Sequence, residues 1–136
     1  MPVSTDQLKQ IPLFAELDDR QLRPIANTLR ERTFKAGQPV TTEGQTGVGF
    51  FVIESGEATV SIDGKEVRKL GPGDYFGEVA LSADVPRSAT IVADTDLRCH
   101  GLTPWDFRPI VESNGSIAWT LMQTLAKRLA EAQPAS

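Results

Sequence analysis

A mainly β domain with flanking helices, of the α+β class, is what this chain predicts, and three observations carry that expectation. From Val40 onward, short apolar runs of period two are separated by Gly, Pro, Asp and Asn. Before them, the apolar residues recur at helical spacing, and after Thr103 they do so again. The spacing of the short runs suits a small sandwich or barrel.

In chain order, Ser4-Thr5-Asp6-Gln7 offers a helix start ahead of Leu8 and Ile11, and Pro12-Leu13-Phe14 breaks that helix. Leu17-Asp18-Asp19 caps a second helix, with Leu22, Ile25, Ala26 and Leu29 at i, i+3, i+4 and i+7. Gly37 and Pro39 mark the expected change to strands. The strands expected next are Gly49–Ile53, Ala58–Ile62, Glu66–Leu70, Thr90–Ala93 and Leu97–Leu102. Asp63-Gly64, between two of these runs, is a two-residue hairpin signal. Pro104 sits at the first position of a helix whose apolar side is Trp105, Phe107, Ile110 and Val111. Asn114-Gly115-Ser116 interrupts before a last helix with Ile117, Leu121, Leu125 and Leu129 at four-residue spacing. Trp119, Met122 and Ala126 give that helix a second apolar side, so it asks for core packing, a lid over a pocket, a dimer seam, or a combination.

Composition narrows the class. The chain has 136 residues, 40% hydrophobic and 24% charged, ordinary values for one soluble globular domain. No apolar run is long enough to span a bilayer, and MPVSTDQLKQ lacks the order of a secretory signal. Cys99 is the single cysteine, so no disulfide framework or thiolate metal cluster is expected, and the cytoplasm is the natural compartment. A net charge of −4, with basic and acidic residues interspersed as in Arg30-Glu31-Arg32, argues against direct nucleic-acid contact. Catalysis is not expected. His100 is the one histidine, and it and Cys99 would point to opposite faces of a strand, which leaves no metal site and no nucleophile–base pair.

The stretch Phe76–Thr90, FGEVALSADVPRSAT, concentrates the chemistry. Gly77 lets backbone approach a ligand closely. Glu78-Val79-Ala80-Leu81 favour a short helical turn whose first N–H groups can point at an anion. Ionised Glu78 is an acceptor, suited to a sugar hydroxyl and repelled by phosphate. Arg87 supplies a planar fork for phosphate oxygens, and Ser88 adds a hydroxyl beside it.

This stretch resembles the cyclic-nucleotide-binding domain, whose phosphate-binding cassette runs F-G-E-x-A-L, a four-residue spacer, then P-R-x-A-T. Phe76, Gly77, Glu78, Ala80, Leu81, Pro86, Arg87, Ala89 and Thr90 fall in register, with Ser82–Val85 as spacer. E-G-x-x-G followed by F-F-V-I-x-x-G (Glu43–Gly56) and L-G-P-G-D-Y-F-G-E (Leu70–Glu78) also resemble the β-roll of that family.

The resemblance implies an eight-stranded antiparallel β-roll, jelly-roll-like, with N-terminal helices, an inserted cassette and two C-terminal helices. It implies one domain over 1–136, divided into N-terminal helices 1–36, roll 37–102 with cassette 76–90, and hinge and lid helices 103–133. The implied ligand is cyclic AMP or cyclic GMP, with phosphate on the amides of Gly77, Glu78, Val79 and Ala80 and on Arg87, and ribose on Glu78. Ser88 leaves cyclic GMP open, because this position in the family reaches either the cyclic phosphate or an amino group of guanine held syn. Arg128 stands where several bacterial members place an arginine that caps the base, and Leu81 matches the apolar relay to the hinge, near Phe107.

Two positions depart from the family pattern: Val79 replaces the commoner Leu or Ile, and Val48 stands where an acidic residue is usual. No helix-turn-helix is read between the last helix and Ser136, so the output domain of the catabolite-activator-like regulators is not expected, and Met1 and the fading tail suggest a complete short polypeptide. The expected role is a sensor whose C-terminal helices move on binding. A vestigial module that docks a homodimer or effector partner through its last helix is the alternative.

Overall fold

The computed structural model describes residues 3–42, 44, 49–77, 81 and 87–132. It resolves into two compact units, one helical (Met1–Thr28 with Trp105–Ser136) and one of strands (Leu29–Pro104).

The helical unit begins with α1 (Thr5–Lys9), where Gln7 N donates to Ser4 Oγ at 3.1 Å and Ser4 N donates to Gln7 Oε1 at 2.9 Å. This reciprocal cap satisfies two amides that have no partner within the helix. A 3₁₀ turn (Pro12–Phe14) follows, and α2 (Asp19–Thr28) repeats the device. There Gln21 N donates to Asp18 Oδ1 at 2.8 Å, and Asp18 N donates to Gln21 Oε1 at 3.0 Å. Leu22, Ile25 and Ala26 are buried, as their spacing requires. The rings of Phe14 and Phe107 pack at 6.1 Å, joining the 3₁₀ turn to α3 (Pro104–Ser113). Helix α4 (Gly115–Ala132) starts from Asn114, whose Nδ2 donates to Ile110 O at 2.8 Å, and packs against the same turn. It buries Ile117, Leu121 and Thr124 and leaves Trp119, Met122, Leu125 and Leu129 exposed. No helix among the described residues is long and apolar enough to cross a membrane.

The strand unit holds eight strands among the described residues: β1 (Arg30–Phe34), β2 (Pro39–Thr41), β3 (Phe50–Ser55), β4 (Ala58–Ile62), β5 (Lys65–Leu70), β6 (Tyr75–Phe76), β7 (Thr90–Ala93) and β8 (Leu97–Leu102). They form two antiparallel four-stranded sheets, in the orders β1-β8-β3-β6 and β2-β7-β4-β5. This is the eight-stranded antiparallel fold expected from the sequence, without closure into a barrel. Strand β1 starts earlier than the expected change at Gly37. Its Arg30, Glu31, Arg32 and Thr33 are all exposed, so no apolar alternation announces it.

The core lies between the sheets. Phe34, Phe51, Ile53, Phe76, Leu97 and Cys99 come from one inner face, and Ala58, Val60, Leu70, Ile91 and Ala93 from the other. Burying each large side chain contributes roughly 1.5–3 kcal/mol. Phe51 sets the packing, edge-on to Phe34 at 5.9 Å and 5.4 Å from Phe76. A Cβ at Gly101 would stand 2.6 Å from the Phe51 ring, so glycine there makes room for it. Asp63 (φ 52) and Gly64 (φ 77) turn the β4–β5 hairpin with both angles positive, the type I′ geometry that the Asp-Gly signal predicts.

Candidate functional site

Phe76 is held in the core, so the chain leaves β6 at Gly77 with its direction already set. Gly77 has a φ of +87°, in the left-handed region, and its neighbours tolerate no side chain. A Cβ there would stand 2.5 Å from the Gly49 carbonyl oxygen and 2.6 Å from Arg87 Nη1. Three segments far apart in sequence therefore meet: the start of β3, the end of β6, and the approach to β7.

Arg87 is anchored from both ends. Its carbonyl accepts from Gly44 N at 2.9 Å, and Thr41 Oγ1 donates to Ala89 O at 3.0 Å just beyond it. At the tip, Nη2 donates to Gly49 O at 2.7 Å. Nε is buried and has no hydrogen-bond partner among the described residues. Burial lowers the guanidinium pKa from its ordinary value, yet an arginine stays charged at neutral pH. A half-buried cation with an unused donor favours an oxyanion, since an unmet polar group costs about 1–3 kcal/mol when buried.

The structure thus brings Gly77 and Arg87 together, with Ser88 exposed beside them. Arg128 is a half-buried residue near the end of α4, in the helical unit. Glu78, Val79 and Ala80 lie outside the described residues, as do Val48 and Ser82–Pro86. Leu81, the expected relay residue, is buried at 6% exposure. The contribution of Gly49 escaped the sequence reading because it is made by a main-chain oxygen. The one signal available was a glycine directly before F-F-V-I.

Other reactive groups are accounted for. Cys99 lies in the core, where burial pushes its thiol up to about 12 and keeps it protonated. His100 Nε2 lies 3.0 Å from Glu54 Oε1, a pair joining β8 to β3. Among the described residues, no group of three or more His, Cys, Asp or Glu could hold a metal ion.

The family described as the cyclic nucleotide-binding domain matches residues 31–114. The cAMP-dependent protein kinase regulatory subunit of Eremothecium gossypii is 43% identical over 112 residues, covering 79% of this chain and 24% of that protein. The cGMP-dependent protein kinase of Toxoplasma gondii is 45% identical over 92 residues, covering 68% of this chain and 9% of that one. Among solved structures, the N-terminal domain of a transcriptional regulator from Streptomyces coelicolor A3(2) superposes with a TM-score of 0.82 at 31% identity. That superposition covers 96% of this chain and 94% of the other. The chain belongs to the cyclic nucleotide-binding domain family. It spans about a quarter of the regulatory subunit's length and less than a tenth of the kinase's.

Proposed function

We propose that this chain is a non-catalytic sensor of cyclic AMP or cyclic GMP, acting as a single regulatory module of the cytoplasm. The phosphate sits on the amides of Gly77, Glu78, Val79 and Ala80 and in the fork of Arg87, and the ribose hydroxyl on Glu78. Ser88 contacts the phosphate or a guanine amino group, and Arg128 caps the base. Movement of α3 and α4 carries the signal, with Leu81 relaying the cassette's state toward Phe107. Such a response requires the ligand to bind one arrangement of the helices better than the other. The observation that carries this reading is the Arg87 fork, held by Gly49 O at one tip and left with a buried Nε that has no partner among the described residues. The names of the kinase relatives support either nucleotide. Isothermal titration with both nucleotides, on the chain and on Arg87→Ala, tests it: saturable binding lost or weakened in the variant supports the site.

A second reading rests on α4. Its exposed Trp119, Met122, Leu125 and Leu129 favour a seam for a second copy or an effector protein. Light scattering of the chain and of Leu129→Glu reads that seam. A dimer in the first and a monomer in the second supports the homodimer, and a monomer in both removes it.

A further inference from the structure

We propose that Gly49 is a positioning residue of the site, its carbonyl pre-setting Arg87 before any ligand arrives. Gly49 has a φ of +92°, a conformation that side chains rarely adopt. A Cβ there would stand 2.6 Å from Leu102 O, so the residue is pressed against the end of β8. That fit turns its carbonyl toward Arg87 Nη2, which donates to it at 2.7 Å. From the other side, the carbonyl oxygen is close enough to Gly77 that a Cβ there would reach 2.5 Å from it. Gly49 O therefore lies between Gly77 and the guanidinium, bonded to the second and closely approached by the first.

The consequence is specific to binding. One guanidinium nitrogen is spent on a neutral acceptor, which fixes the plane of the fork while leaving its charge uncompensated by that contact. Nε is buried and has no hydrogen-bond partner among the described residues, so the contact to Gly49 O leaves that donor uncommitted. An arginine ordered in advance loses less rotamer freedom on binding, and binding is tighter for it. Gly49 does this without touching the ligand.

The affinity arm of the test rests on the cyclic-nucleotide reading, and the spectroscopic arm does not. Cyclic AMP and cyclic GMP are titrated into the chain, Gly49→Ala, Arg87→Ala and the double variant, each shown to be folded by circular dichroism. Gly49→Ala lowers affinity about tenfold to a hundredfold beside the native arginine, the range of one hydrogen bond to a charged group. Beside Arg87→Ala it changes affinity less than about twofold, because an effect routed through Arg87 has nothing left to act on. Equal weakening in both backgrounds would assign Gly49 a merely structural role and overturn the proposal. In the ligand-free native chain, the Arg87 Nε–Hε resonance is ordered and slow to exchange with water. A rapidly averaged Arg87 side chain there would overturn the proposal, even if Gly49→Ala failed to fold. Absence of binding by the native chain would remove the cyclic-nucleotide reading and leave this second arm to decide.

Discussion

Glu54 links a cross-strand contact to the acid stability of the roll. Its carboxyl is held down at about 2 from an ordinary 4.5, and the largest of several causes is the hydrogen bond at 3.0 Å with His100 across the β3–β8 ladder. The folded state keeps this carboxylate ionised at acidities where the unfolded chain has already taken up a proton. Its stabilising contribution is complete above about pH 4.5 and is lost as the pH falls toward 2. Glu54→Gln should therefore lie below the native protein in stability at neutral pH, and the gap should close across that acid window. Urea unfolding at several pH values measures it, and a gap independent of pH would contradict the assignment. Neither partner announced itself in the sequence, because 46 positions separate them and the sheet register brings them together. Arg87, by contrast, was legible as a candidate, since its residue type and its spacing from Gly77 single it out. Gly49 was not, because its contribution is a carbonyl that every residue possesses.

Among the elements, α4 shows how far periodicity can be trusted. Ile117, Leu121, Leu125 and Leu129 repeat every fourth residue, which drifts about 40° around the helix at each step. By Leu125 the stripe has turned away, and the buried line continues instead through Thr124. Sequence periodicity thus predicted the helix correctly but not which apolar residues it would bury. Leu121→Ala should cost about 2–5 kcal/mol, as a buried leucine does. Leu129→Ala, at an exposed position, should change stability by no more than about 0.5 kcal/mol. Comparable losses in chemical unfolding would refute this division of the helix faces. The strands divide similarly: β4, β7 and β8 coincide with their expected bounds, whereas β1 hides behind charge and β6 is two residues long. A strand that short has no period to read.

For the whole molecule, the net charge of −4 sits beside a site proposed to bind an anion, and the two are compatible. Short-range donors and one desolvated guanidinium decide such a site, because beyond roughly 10 Å salt screens the exposed charges. Family membership and the two-sheet fold follow from a dense local motif and from turn chemistry, both written along the chain. The proposed base cap and the proposed motion of the helices depend on tertiary arrangement and on ligand, which no local pattern carries. The central claim is therefore the proposed one, that the Arg87 fork receives the phosphate of a cyclic nucleotide. Isothermal titration of the folded, nucleotide-free chain with cyclic AMP and cyclic GMP, alongside Arg87→Ala, tests it most directly. The account predicts saturable binding of at least one nucleotide, weakened tenfold or more by the substitution, about the worth of one charged hydrogen bond. No heat with either nucleotide, or an affinity that Arg87→Ala leaves unchanged, would contradict it.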